Sequence, residues 1–236
     1  EPFAAAAARD PGRLRIAVTT AMPLVEAELH PACERAAHDA AALLGELGHG
    51  VEAVEPPWRA PGLLDHFTAV FGPAVCAQIA FGGVLAGREP QEEDVEPLSW
   101  ALWRRSKAID AVSAHLAVVR LQALARRIVT WADRYDAILT PALAQPPVPI
   151  GELDPCGPDP VGTFVRGGHF TPYTAISNVT GCPAISLPLY EHDSGLPLAV
   201  QLIGRPAQEG ALLALAAQVE AARPWAGRRP AVAAGP

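Results

Sequence analysis

Leu14 to Thr19 reads LRIAVT, a β-rich apolar run held between Pro11-Gly12 and Met22-Pro23, and such a run suits a buried strand. A helix is predicted from Pro31 to about Leu47. Pro31 suits the first helical position, Cys33, Ala36, Ala37, Ala40, Leu44 and Leu47 form one apolar stripe, and Gly48 is a natural stop. Val51 to Val54 then reads as a second strand. Strand, helix and strand make a βαβ unit, with parallel strands joined by a right-handed crossover. The fold class is α/β.

Downstream, residues 62 to 86 and 99 to 133 are helical by pattern, separated by the acidic, proline-containing segment Glu89 to Pro97. The second stretch carries two apolar stripes, Ile109/Val112/Leu116/Val119/Ala123 and Ala117/Leu121/Leu124/Ile128/Trp131. More than one of its faces is therefore expected to be buried, with the helix packed between layers. Tyr135 to Thr140 (YDAILT) reads as a short strand, and residues 141 to 160 carry seven prolines, too many for a helix or a central strand. Ala184 to Leu189 and Leu198 to Ile203 read as an antiparallel hairpin closed by the polar turn Glu191 to Gly195. A last amphipathic helix carries Leu212, Leu215, Ala216 and Val219.

A chain of 236 residues, half of them hydrophobic, fits one large domain better than two small ones and suggests surface that expects to be covered. The formal charge of −7, without a basic run, gives a phosphate backbone nothing to bind, so nucleic acid is not an expected partner. No stretch reads as long and apolar enough to cross a bilayer, and Ala4 to Ala8 lacks the basic flank of an export signal. No membrane partner is expected. Cys33, Cys76, Cys156 and Cys182 are widely spaced with no CxxC, which points to a reduced, cytoplasmic protein. Asn178-Val179-Thr180 matches the glycosylation pattern and is read as a chance match. The chain starts at Glu1 and its only methionine is Met22, so the start reads as an internal cut.

Amide hydrolysis by a serine needs a nucleophile, a base within hydrogen-bond reach and donors for the oxyanion. The chain has no GxSxG elbow and no SxxK, and its sole lysine, Lys107, stands beside Arg104 and Arg105 on a face expected to be solvated. His30, Cys33 and His38 cluster in sequence, but the spacing of Cys33 and His38 puts them on different helix faces, unlike an HExxH pair. No metal or cofactor is called for. Asp136 reads as a strand-entry cap, and Cys76 as a packed thiol or, on a sharper reading, as part of a pocket wall.

Three blocks then carry a resemblance: YDAILTPALAQPPVPIGELD (Tyr135 to Asp154), FTPYTAISNVTGCPAISLPL (Phe170 to Leu189) and GLPLAVQLIGRPAQEGALLALAAQVE (Gly195 to Glu220). In order and spacing they resemble the closing blocks of amidase-signature enzymes, and Leu14 onward resembles that family's strand, helix and strand just after the catalytic region. The likeness weakens between about Leu63 and Lys107. The NVTGCPAIS run and the ending EAARPWAGRRP are most similar to the branch that contains 6-aminohexanoate cyclic-dimer hydrolases.

The resemblance implies the C-terminal half of the amidase-signature fold, a mixed β-sheet with helices on both faces, residues 1–236 being one portion of a single domain. It also implies a serine nucleophile, a second serine on a cis peptide and a lysine base, all upstream of this chain. This chain lacks a GGSSGG-like segment, since Phe81-Gly82-Gly83 continues into Val84, so no catalytic residue is carried over. What it implies here is sheet strands and a pocket wall for a small-molecule amide, with an N-terminal amidase half, or a second copy, as partner. A non-catalytic binding domain derived from an amidase is the alternative. Ligands in such sheets bind outside the strand ends, and the expected wall is Thr171, Tyr173, Asn178 and Thr180, with Cys76 as a further candidate. Asn178, the only asparagine, either orients a ligand carbonyl or ties down the loop before Gly181; the second role is favoured because Asn commonly bonds nearby backbone.

Overall fold

The computed structural model describes residues 2–24 and 26–229; Glu1, Val25 and residues 230–236, with the last proline of the EAARPWAGRRP run, lie outside the described residues. In chain order the elements are α1 (Phe3–Ala7), β1 (Arg15–Val18), α2 (Pro31–Glu46), β2 (Gly50–Ala53), α3 (Leu63–Ala86), a 3-10 turn (Glu92–Asp94), α4 (Pro97–Ser106) and α5 (Ala111–Ala132). They continue with β3 (Ala137–Pro141), α6 (Pro160–Phe170), α7 (Ala175–Thr180), β4 (Ala184–Glu191), β5 (Pro197–Gly204) and α8 (Glu209–Ala222).

The five strands form one mixed sheet in the order β2-β1-β3-β5-β4. β1 runs parallel to both β2 and β3, and β5 is antiparallel to β3 and β4. Side chains alternate across the sheet, as the two-residue period of a strand requires. Ile16, Val18, Leu139, Val200 and Leu202 meet α2 and α8 through Ala36, Ala40, Leu44, Leu215 and Val219. Ala17, Ile138 and Ile203 meet Leu124 and Ile128 of α5, Ile176 of α7 and the buried Trp58. Helices therefore cover both faces.

Long-range polar contacts lock this frame. The backbone N–H of Leu14 donates to His49 Nδ1 at 3.2 Å, and His49 Nε2 meets Gln218 Oε1 at 2.8 Å, which ties α8 to the entry of β1. At the centre, Gln201 Nε2 donates to Thr140 Oγ1 at 3.3 Å, and that hydroxyl donates to the Pro141 carbonyl at 2.8 Å, so two buried polar side chains satisfy each other. The register of β4 with β5 shifts between Leu187 and Tyr190. There Arg228 donates to the carbonyls of Pro188 and Leu189 at 2.8 and 3.0 Å.

Three expectations need correction. The helical stretch over 99–133 is two helices, because Asp110 caps a new one by accepting from the N–H groups of Val112 and Ser113 at 2.9 Å each. Only one of the two stripes of α5 is buried: Ala117, Leu124 and Ile128 are covered, whereas Val112, Leu116 and Val119 are 69%, 48% and 43% exposed. Finally, α3 is long and apolar enough to cross a bilayer, with a mean hydropathy of 1.8 along one window, because Pro73 sits inside it without ending it. α3 packs along α4 and α5, yet only 11% of that window is buried, so much of its apolar surface is uncovered.

Candidate functional site: an apolar cavity between α3, α4, α6 and α7

α6 starts where Asp159 accepts from the Gly162 N–H at 2.9 Å and Pro160 takes the first helical position. The corner after it is pinned from below. Tyr173 is fully buried, and its hydroxyl donates to the Thr20 carbonyl at 2.8 Å, holding the α6–α7 corner against the loop that follows β1. Ile176 fixes one face of α7 in the core under the sheet, and Gly181, at φ +70°, ends the helix in the left-handed conformation.

α3 and α4 bring a second wall. Gly72 faces Ser106 so closely that any side chain there would overlap the serine hydroxyl, and Cys76 Sγ reaches the carbonyls of Leu102 and Trp103 at 3.9 and 3.5 Å. Between these walls lies a cavity of about 580 Å³, within the range of small-molecule sites. Its body is apolar, with Phe67, Leu98, Leu102, Phe164 and Phe170 on the lining. Phe67, Phe71 and Phe164 stack in series, ring centres 6.1 and 6.0 Å apart.

The predicted wall residues separate here. Thr171 and Asn178 line the cavity. The Thr171 hydroxyl donates to the Gly167 carbonyl at 3.0 Å, which leaves its lone pairs free to accept. Asn178 is exposed, and its side-chain amide makes no hydrogen bond among the described residues, so it does not tie down the loop before Gly181. Thr180 does that: its hydroxyl donates to the Ile176 carbonyl at 2.7 Å and accepts from the Cys182 N–H at 3.3 Å.

Tyr173, Thr180 and Cys76 lie off this lining. Tyr173 is a core pin, Thr180 borders a separate cavity of about 30 Å³ beside Cys182 and Arg205, and Cys76 joins α3 to α4. Asp65, which the sequence reading did not single out, and Arg105 also line the cavity. Arg104, Arg105 and Lys107 are all exposed, as a solvated face requires.

Other candidate chemistry resolves into structure. Lys107 Nζ stands 4.2 Å over the Trp103 ring, and Asp136 caps β1 by accepting from the Arg15 N–H at 2.8 Å beside Arg205. His30 caps α2 by accepting from the Ala32 N–H at 3.1 Å; burial pushes the Cys33 thiol up to about 11, away from thiolate chemistry. Among the described residues no group of three or more His, Cys, Asp or Glu could hold a metal ion. Ser194 does meet His192 Nδ1 at 2.8 Å, but in the exposed β4–β5 turn, where the Ser194 N–H reaches the same nitrogen. That pair closes a turn.

The family model described as Amidase matches residues 1–213. A 6-aminohexanoate-cyclic-dimer hydrolase of Paenarthrobacter ureafaciens is 34% identical over 236 residues, covering 97% of this chain and 48% of that protein. An enzyme of the same description from a Pseudomonas strain is 32% identical over 240 residues, with 97% and 48% covered. A solved structure of 6-aminohexanoate cyclic dimer hydrolase superposes with a TM-score of 0.89 at 33% identity, over 98% of this chain and 49% of that one. A bacterial aryl acylamidase of the amidase-signature enzymes shares the fold at a TM-score of 0.76 and 22% identity, over 97% of this chain and 49% of its own. The chain spans about half the length of these relatives, and it belongs to the amidase family.

Proposed function

We propose that residues 1–236 form the C-terminal portion of a single amidase domain, supplying five strands and one wall of the pocket in which an amide is cut. The nucleophile and base come from an N-terminal half. The observation that carries this reading is the unpaired amide of Asn178, set with Thr171 on a cavity whose body is apolar. An amide side chain offers one acceptor and two donors, which matches the donor and acceptor of a substrate amide. A ligand that covers this exposed amide without bonding it would strip its water at a cost of about 1–3 kcal/mol, which favours a ligand that bonds it.

Thr171 and Asn178 therefore contact the substrate; Tyr173, Thr180 and Cys76 support the wall from behind. The substrate body is uncharged and apolar, as in a short aliphatic or aryl amide. The four free cysteines fit a cytoplasmic protein.

The test is to assay the purified chain against short aliphatic and aryl amides, alone and with a matching N-terminal half. Turnover should require both parts, since dismantling a nucleophile–base unit costs on the order of 10⁶ in rate. Turnover by the chain alone that vanishes in Ser106→Ala, Ser177→Ala or Lys107→Ala would overturn the reading.

A further inference from the structure

Most of α6 faces the cavity, with Val161, Thr163, Phe164, Gly168 and Phe170 on the lining, so this helix closes one side of it. Yet α6 is loosely held. Of its residues only Thr163 is buried, and Val161 and Val165 are 37% and 41% exposed. Among the described residues its side-chain polar contacts stay within the helix and its caps. Arg166 donates to Thr163 Oγ1 at 2.6 Å and pairs with Asp159 at 3.7 Å, and Thr171 bonds Gly167. The segment before α6 also bonds to itself: the Glu152 N–H donates to the Pro149 carbonyl, and the Cys156 and Gly157 N–H groups donate to Asp154. The tether lies at the other end. There the Phe170 carbonyl accepts from the Ala144 N–H at 3.1 Å, and Tyr173 is pinned to Thr20.

Between the free body and this tether stand Gly167 and Gly168, in the last turn of the helix. Glycine weakens a helix relative to alanine, because it has more backbone freedom to lose. Packing does not call for it here. A Cβ at either position would meet nothing within 4 Å beyond its own stretch of helix, and neither residue has a positive φ. Gly162 is the contrast, since a Cβ there would overlap the Asp159 carboxylate that caps α6. Gly167 and Gly168 are thus a weak point placed where the helix meets its tether. The closed position is held by apolar contact with α4 and by Phe164, whose ring stacks on Phe71 of α3 with 6.0 Å between centres. An aromatic pair of this kind is a weak tie that thermal motion can break.

We infer that α6 is a lid on the cavity, hinged at Gly167-Gly168 and latched by Phe164 on Phe71, and that its opening admits ligand and releases product. This rests on the cavity being the ligand site, as proposed above, and not on which bond is cut.

The test uses the whole chain and 4-fluoroacetanilide, an uncharged aryl amide whose ¹⁹F line shape reports association and dissociation rates separately. Gly167→Ala with Gly168→Ala adds methyls where no atom stands, and Phe71→Ala removes a partly exposed ring that lies outside the cavity lining. The stiffened hinge should slow both rates about tenfold and leave Kd within about twofold, the size of two glycine-to-alanine changes in a helix. Phe71→Ala should raise both rates, by about threefold. A methyl that merely narrowed the cavity would instead change Kd through the dissociation rate. Hydrogen exchange gives a second readout that needs no ligand. Backbone amides 164–168 should exchange about a hundredfold faster than amides 124–128 of α5 in the parent chain, more slowly in the alanine pair and faster in Phe71→Ala.

Rates and exchange that the alanine pair leaves unchanged overturn the inference, as does a Phe71→Ala chain that takes up and releases the probe no faster than the parent. If the probe binds but its rates ignore both variants, the pocket stands and only the lid is wrong. Exchange that follows this pattern in a chain that binds no probe would leave a hinged helix over no ligand site, and would remove the lid together with the pocket.

Discussion

Gly72 of α3 and Ser106 of α4 touch where no side chain could stand between them, since a Cβ at Gly72 would overlap Ser106 Oγ and come within 3.3 Å of Ser106 Cβ. This contact sets how closely α3 and α4 approach, and so the width of the cavity whose walls include Leu64, Phe67, Leu102 and Arg105. Gly72→Ala should cost about 1–3 kcal/mol by overpacking, despite the helix preference for alanine. Adding Ser106→Ala removes the overlapping hydroxyl and should recover most of the loss. Urea unfolding of the two single variants and the double variant measures this coupling directly; additive effects would show that the contact does not set the helix spacing.

Asn178 and Tyr173 stand five residues apart and should respond in opposite ways. Asn178→Ala removes an exposed, unpaired amide, so stability should change by no more than about 0.5 kcal/mol. In the assembled enzyme it should lower kcat/KM for amides about tenfold, through the lost contact to the substrate. Tyr173→Phe breaks the bond to the Thr20 carbonyl and leaves a buried acceptor unpaired, costing about 1–3 kcal/mol in stability. Chemical denaturation beside steady-state kinetics separates the two; a stability loss in Asn178→Ala equal to that in Tyr173→Phe would make Asn178 structural.

The parts of this molecule that were legible in its sequence are those where pattern and packing agree. Ile16 to Val18 alternate between two covered faces, and the Pro31-to-Gly48 helix carries both its stripe and its terminators. Asp110 was harder to see, because its cap falls inside a continuous apolar periodicity that reads as one helix. Gly167-Gly168 and Pro172 mask α6 and α7 in the same way. The role of Tyr173 was out of reach: its partner, Thr20, lies 153 residues away, and no local pattern encodes a contact of that span. Asn178 was read as a loop anchor, but whether it bonds the loop or lines the cavity depends on Thr180 having taken the loop contact.

All three tyrosines of the chain have phenols held above their ordinary range, which makes stability fall at high pH. Tyr190 is the clearest case: burial pushes it from 10.0 up to about 12, with Arg223 stacked 4.3 Å from its ring and no hydrogen bond to its hydroxyl. A folded-state value above the unfolded one means the contribution is complete below pH 10 and lost as pH rises toward about 12. Tyr190→Phe should therefore be at least as stable as the parent near neutrality, since it removes an unpaired buried hydroxyl, and its stability should decline less across that window. Urea midpoints on both sides of pH 10 decide the matter; parallel declines in parent and variant would place the alkaline loss elsewhere.

The last expectation concerns the uncovered stripe of α5. Val112, Leu116 and Val119 recur at helical spacing yet are 69%, 48% and 43% exposed, and Phe81, Val84 and Leu85 on α3 are 59%, 76% and 75% exposed. Large side chains left in water forgo about 25 cal/mol for every Å² of apolar surface that could be buried, so this layer should be covered in the assembled protein. The proposed occupant is the N-terminal half; without it, the isolated chain should self-associate through the same surface. Leu116→Glu puts a charge at the centre of the stripe without disturbing the core, so stability should stay within about 0.5 kcal/mol. Sedimentation should show concentration-dependent association in the parent chain and a monomer in the variant, and binding to the N-terminal half should weaken in parallel. A parent chain that sediments as a monomer at every concentration and binds no apolar dye would mean that these side chains face solvent in the working protein and that the partner meets the chain elsewhere.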